Sequence, residues 1–355
     1  MNDPVFLLSS ERSGSNLLRV IMDSHHDFSA PHSPHLIKTF VPLLAKYGDL
    51  RIIANLTQLA EDMRTVINIQ LRDWPFVPTT QQVVAGVDEN SFSGLIRSIY
   101  RLAAENEDKT RSFIKDNGAI PLASELATLF PDSKFIYLVR DARDIALSWK
   151  KSPGHPGGVK EAAKMWLQEQ TDSLYFLSLV YQTDKALVIR YENLVANPKR
   201  EIEKICQHIE APFDENMLKF YEGKEAKTSA NAAVGWKNLT KPILADNTAK
   251  YKTELSRREL RQIESIAAVP LKQLGYPLEF PISKPWFAPS TIGKLYRAGQ
   301  VAIKQLLRGR EGIAELKQRT KRLSGLREIM NRKQNDHPDW SQTFETNQNE
   351  SDGSQ

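Results

Sequence analysis

The sequence predicts an α/β protein: a P-loop-like parallel sheet with helices on both faces, followed by a basic helical C-terminal extension. Three observations carry that expectation. Short apolar runs alternate along the chain with segments of helical periodicity. The first run enters a tight polar loop that opens directly into a helix. From residue 290 to 333, twelve Lys/Arg stand against three Asp/Glu, with apolar residues recurring near helical spacing among them. At 355 residues, 41% hydrophobic and 26% charged, with a formal charge of +5, the chain excludes wholesale disorder and accommodates one large domain plus an appendage.

Each element follows from its local pattern. Val5-Phe6-Leu7-Leu8 reads as a strand; Ser9 to Ser15 is small and polar; Leu17, Leu18, Ile21 and Met22 then mark a helix beginning near Asn16. Further strands are expected at 112–114, 135–139 and 186–189. Each is continuously apolar, as a parallel strand covered on both faces should be. Helical patterns at 123–129, 145–149, 161–180 and 199–209 supply the crossovers. Ser256-Arg257-Arg258-Glu259 is a capping box opening a helix over 260–267. The division expected is an α/β domain over 1–285, a basic amphipathic helical extension over 286–333, and a disordered acidic tail over 334–355, which holds five acids and no Lys or Arg.

Removing the charged ends leaves the first 289 residues near neutral, which argues against a nucleic-acid coat. The lone Cys206 sits in an apolar helical pattern and reads as packing. No run of about 18 apolar residues and no basic leader occur, so a cytoplasmic protein is expected. The extension has three possible uses: to lie on the inner face of a membrane, to pack on a partner, or to fold back on the domain. The oligomeric state is not expressed in the sequence.

The chemistry concentrates in two segments. A strand turning through Ser13-Gly14-Ser15 into a helix aims unpaired backbone N–H groups and the positive end of the helix at one point, which suits an anion. Arg12 adds a forked permanent charge; Ser13, Ser15 and Asn16 add neutral donors. The same residues also suit a merely capped helix start. The Walker A spacing is absent, since the loop has one glycine and no lysine. The second segment runs from Arg140 to Ser148. Arg140 stands at the carboxyl end of a strand, on the edge where open α/β sheets bind ligands, and Ser148 follows eight residues later on a helix. Here the alternative is an ion-pair network among Arg140, Asp141, Arg143 and Asp144.

These two segments, in this order, resemble the sulfotransferases that use 3′-phosphoadenosine-5′-phosphosulfate. Ser10 to Leu18 is similar to that family's 5′-phosphosulfate loop, and Arg140 with Ser148 to its 3′-phosphate element. Tyr191-Glu192-Asn193-Leu194 resembles the segment whose tyrosine lies near the adenine. Gly235-Trp236-Lys237-Asn238 resembles the later Gly-x-Trp-Lys segment. The resemblance spans about residues 4 to 280 and implies donor contacts from Arg12, Ser13, Gly14, Ser15, Asn16, Arg140, Ser148, Tyr191, Trp236 and Lys237, with no metal. It departs from the cytosolic members at two places. Ser229-Ala230-Asn231 stands where they carry Arg-Lys-Gly, leaving Lys227 or Lys237 as substitutes. Asn117 stands where they carry a base histidine after a strand-end lysine, here Lys115.

Sulfuryl transfer to a hydroxyl or amine needs a proton acceptor, and asparagine cannot serve. Four of the seven histidines lie between His25 and His35. In members of the tyrosylprotein type the base is a glutamate at a similar place, so His32 or His35, with the preference on His35, is expected in that role and Asp116 is a further candidate. Arg12 and Lys115 are the expected charges at the leaving group. A metal site among these histidines competes poorly, because Pro31 and Pro34 break helical ligand spacing. The expected activity is in-line transfer to an acceptor that the sequence does not name, glycans and lipid-linked molecules among the candidates. The alternatives are a nucleotide-dependent phosphotransferase and a non-catalytic binder of phosphorylated or sulfated ligands.

Overall fold

The computed structural model describes residues 3–70, 74, 76–152, 154–232, 234–281, 321, 322, 324–326, 328 and 329. Most of the expected extension and all of the expected tail lie outside these residues. Five strands form one all-parallel sheet in the order β2-β3-β1-β4-β5: β1 (Val5–Ser9), β2 (Phe28–Ser29), β3 (Arg111–Lys115), β4 (Phe135–Val139) and β5 (Ala186–Arg190). The helices are α1 (Ser15–Asp23), α2 (Leu36–Phe40), α3 (Ile53–Asn68), α4 (Thr80–Ala85), α5 (Phe92–Glu105), α6 (Ala123–Leu129), α7 (Ala142–Lys151), α8 (Gly158–Leu179), α9 (Tyr191–Ala196), α10 (Pro198–His208), α11 (Lys224–Ala232), α12 (Tyr251–Glu254) and α13 (Arg257–Gln273). The α/β class is therefore the observed one. All the expected strands and crossover helices are present, and the Ser256/Glu259 capping box opens α13.

The continuously apolar strands are buried because both faces are covered, and alternate side chains enter different cores. Phe6, Leu8, Ile114, Phe135, Tyr137 and Val139 join one cluster with residues of α2, α3, α5, α7, α8 and α13. Val5, Leu7, Phe113, Ile136 and Leu138 join the other with α1, α9 and α10. Cys206 packs in this second cluster.

From β1 the chain moves to one side for β2 and β3, then crosses to the other for β4 and β5. The reversal leaves a crevice at the carboxyl ends of β1 and β4. Register places Leu7 beside Lys115, Ser9 beside Leu138, and Val139 beside Arg190, so the residues after each strand emerge along one edge.

The ion-pair alternative at 140–144 holds for two of its four residues, Asp141 and Arg143, in the interior rather than on the surface. Arg143 is 1% exposed and binds Asp141 at 2.6 Å and Glu264 at 2.8 Å; Glu264 also accepts the Glu279 and Phe280 amides. Asp144 accepts the Ala249 and Tyr251 amides. Helix α7 thus anchors both α13 and the 241–250 segment, while Arg140 turns to the crevice.

Residues 321, 322, 324–326, 328 and 329 are helical. Ile329 is 4% exposed within the first cluster, and Leu326 packs against it. A methyl group at Gly325 would lie 2.8 Å from Ile69 Cδ1, so this turn rests on the end of α3. Among the described residues, no helix is long and apolar enough to cross a membrane.

Candidate active site

The loop after β1 is shaped by two residues with positive φ, Arg12 at 69° and Gly14 at 94°. Ser13 closes the turn, its Oγ donating to the Ser10 carbonyl at 2.7 Å. Gly14 has no room for a side chain, since a Cβ there would stand 2.4 Å from the Tyr191 ring. Helix α1 starts immediately, with Ser15 buried at its first position and Asn16 beside it, the Asn16 Oδ1 buried without a hydrogen-bond partner. The first-turn amides and the helix dipole therefore face the crevice.

Arg12 and Arg140 meet across that crevice. Arg12 Nε donates to Ser148 Oγ at 3.0 Å, and Arg140 donates to the Arg12 carbonyl at 3.2 Å and the Asn247 carbonyl at 2.9 Å. The Arg140 guanidinium lies 4.1 Å from the Tyr191 ring centroid, and Asn247 Nδ2 donates to the Tyr191 hydroxyl at 2.7 Å. Arg140 Nε is buried with no partner, an orphaned donor that an anion would satisfy. Burial pulls the Arg12 guanidinium below its ordinary value; Glu11 opposes the shift and Arg140 adds to it.

A second group assembles at the end of β3. Asp116, 3% exposed, follows the strand and holds His35: its Oδ1 lies 2.9 Å from His35 Nδ1, and its Oδ2 accepts the Ile37 amide at 3.0 Å. His35 adopts φ 60° at the start of α2, and its amide bonds Ser33 Oγ at 3.1 Å. A carboxylate on Nδ1 fixes the proton there and leaves the Nε2 lone pair as the basic atom. Burial lowers the pKa of His35, with Asp116 opposing, so the imidazole is neutral at neutral pH. Lys115, 3% exposed, is brought down to about 7 by burial first and by Arg19 next, with Glu11 and Asp116 opposing. Lys38 is likewise lowered by burial, against Asp116 and Glu11.

The remaining candidates have other contacts or are exposed. His32 packs edge-on against Trp236 at 5.7 Å between ring centroids, while its carbonyl accepts Trp74 Nε1 at 2.6 Å. Lys227 and Lys237 are exposed. Ser229 is turned inward, accepting from Arg19 at 2.6 Å and donating to Glu225 at 3.0 Å. His25, His26 and Asp27 form a cluster close enough to hold a metal. However, His25 Nδ1 accepts the Asp27 amide at 3.0 Å, and Nε2 lies 2.9 Å from the Pro212 carbonyl, which uses both ring nitrogens. Sequence reasoning missed Asn247, which gives its backbone carbonyl to Arg140 and its side-chain amide to Tyr191, and treated His35 and Asp116 as rivals where they form one pair.

Comparison with known proteins places this geometry. A family profile described as "Sulfotransferase family" matches residues 4–215. Protein-tyrosine sulfotransferase A of Caenorhabditis elegans is 22% identical over 282 residues, covering 77% of this chain and 67% of that protein. Nodulation protein NoeE of Sinorhizobium fredii is 24% identical over 298 residues, covering 76% and 65%. Among solved structures, the sulfotransferase domain from the curacin biosynthetic pathway aligns with a TM-score of 0.56 at 24% identity, covering 78% of this chain and 99% of that one. The sulfotransferase domain from the Synechococcus PCC 7002 olefin synthase gives 0.55 at 21% identity, covering 78% and 97%.

Proposed function

The chain belongs to the sulfotransferase family, and from that premise we propose that it moves a sulfuryl group from 3′-phosphoadenosine-5′-phosphosulfate to a hydroxyl or amine of its acceptor. The observation that carries this reading is the pairing of His35 with Asp116 at 2.9 Å on the same sheet edge as the Arg12, Arg140 and Ser148 cluster. A nucleotide cradle and a neutral, carboxylate-oriented base are what in-line transfer requires.

In this assignment Arg140 and Ser148 hold the 3′-phosphate, Tyr191 lies against the nucleoside, and the amides of the Ser13-Gly14-Ser15-Asn16 loop receive the 5′-phosphosulfate end. His35 Nε2 takes the acceptor's proton as its oxygen or nitrogen bonds to sulfur. The bond from sulfur to the bridging oxygen breaks, and the charge that collects there meets Arg12 and Lys115. The products are sulfated acceptor and 3′-phosphoadenosine-5′-phosphate, with the proton left on His35 for release to water. Asp116 keeps the imidazole in the productive tautomer throughout.

The test is calorimetric titration with 3′-phosphoadenosine-5′-phosphate against ATP with magnesium, followed by transfer of radiolabelled sulfate to a tyrosyl peptide and to simple sugars. Binding of the bisphosphate in preference to ATP is expected. Binding of ATP alone overturns the donor assignment, and donor binding without turnover on any acceptor or on water favours a binding protein.

A further inference from the structure

Glu11 is a poor neighbour for an anionic donor. It precedes Arg12 in the phosphate loop, its side chain is 37% exposed, and it acts electrostatically on Arg12, Lys38 and Lys115. Burial raises its pKa, but the His155 hydrogen bond and the charges of His155, Lys38 and Lys115 bring it to about 2, so it is ionised at working pH. A free carboxylate here would compete with the phosphosulfate for those cations.

The structure gives Glu11 another partner. His155 Nε2 lies 2.8 Å from Glu11 Oε2, and His155 Nδ1 lies 2.6 Å from Ser152 Oγ. An ionised carboxylate can only accept, so Nε2 carries a proton that points at Glu11. The imidazole is held from a third side by Trp149, 4.3 Å between ring centroids, and Trp149 Nε1 donates to the Pro156 carbonyl at 2.9 Å. The His155 ring is therefore held on three sides. That loop leaves α7, the helix whose Ser148 accepts from Arg12. The two residues at the start of the strained turn, Glu11 and Arg12, are both gripped by one unit, α7 and the segment that follows it.

We propose that His155 is a positioning residue for donor binding, pinning the Glu11 carboxylate to the 152–158 segment so that Arg12, Lys115 and Lys38 remain available to the sulfuryl-bearing end of the nucleotide. The inference rests on the donor assignment above. Without His155, the Glu11 carboxylate swings to the nearest ammonium or guanidinium and neutralises charge that the donor needs.

Titration of the full chain with 3′-phosphoadenosine-5′-phosphate tests it without any acceptor. His155→Ala should weaken binding about tenfold, the scale of one unscreened charge contact at a half-buried site. His155→Gln, which keeps a donor toward Glu11, should stay within about threefold of wild type. Glu11→Gln should bind at least as tightly as wild type, and the double variant His155→Ala/Glu11→Gln should recover to the Glu11→Gln level. Unchanged affinity in His155→Ala overturns the proposal. So does a double variant as weak as His155→Ala, because a purely structural role for the imidazole gains nothing from removing the carboxylate. Should His155→Ala fail to fold, Glu11→Gln decides: weaker binding by it means that the carboxylate serves the site, against the proposal. A wild-type chain that does not bind the nucleotide removes the donor assignment, and this inference with it, and is distinguishable from a wild type that binds while the variants do not differ.

Discussion

Asp116→Asn probes how His35 is held, because an amide can offer either its oxygen or its NH₂ to Nδ1. Facing the NH₂ group, the imidazole places its proton on Nε2, the atom that should receive the acceptor's proton. Turnover should fall by about two orders of magnitude, the lower end for loss of a general base. The pH profile carries the sign. Burial already sets the pKa of His35 below its ordinary value, and Asp116 raises it. Without that carboxylate the value falls further, so the acid limb of kcat/KM should move to lower pH in the variant. A limb that stays in place or moves up rules out His35 as the group it reports. The clustering of the residues proposed for the donor was legible because phosphate chemistry needs a loop, a helix start and fixed cations within a few residues of one another. The proposed base was only half legible: Asp116 is far from His35 in sequence, and nothing local says that β3 ends beside the start of α2.

At the scale of elements, the junction of β1 and α1 depends on the absence of a side chain at one position. Gly14 holds φ 94° under the Tyr191 ring. Gly14→Ala adds left-handed strain of about 1–2 kcal/mol and a collision with that ring. Calorimetric melting should show a lower Tm, and nucleotide affinity should fall with it as Tyr191 is displaced from Arg140. An alanine variant with unchanged affinity would contradict the stacking of Tyr191 over the loop. The strands that could be read were those apolar throughout, such as Phe135 to Val139. β2 could not, because two residues, Phe28 and Ser29, carry no period at all and are strand only through pairing with Arg111 and Ser112. Helices α3 and α5 have apolar residues at helical spacing, but that period does not tell which sheet face they cover.

Over the whole molecule, the described residues around Leu326 and Ile329 are more closely tied to the domain than the charge of their segment suggests. The basic amphipathic pattern is compatible with a membrane surface, a partner or the domain itself, and burial of Ile329 with Leu326 beside it favours the last. Ile329→Ala should cost about 2 kcal/mol or more in urea denaturation, the usual effect of emptying a core position. A change below about 0.5 kcal/mol, typical of surface positions, would detach the segment from the core. The strand order has a further consequence, for the time at which the protein can exist. β1 is synthesised first, but Val5 pairs with Phe113 and Phe6 with Phe135, and every one of its side chains is buried. While the intervening chain emerges from the ribosome, a ribbon apolar from Val5 to Leu8 with two open edges must wait for its neighbours. Loop closure of that length makes assembly of the sheet slow. The strand that leads into the phosphate loop is thus also the segment most open to chaperone capture or aggregation before β3 and β4 arrive.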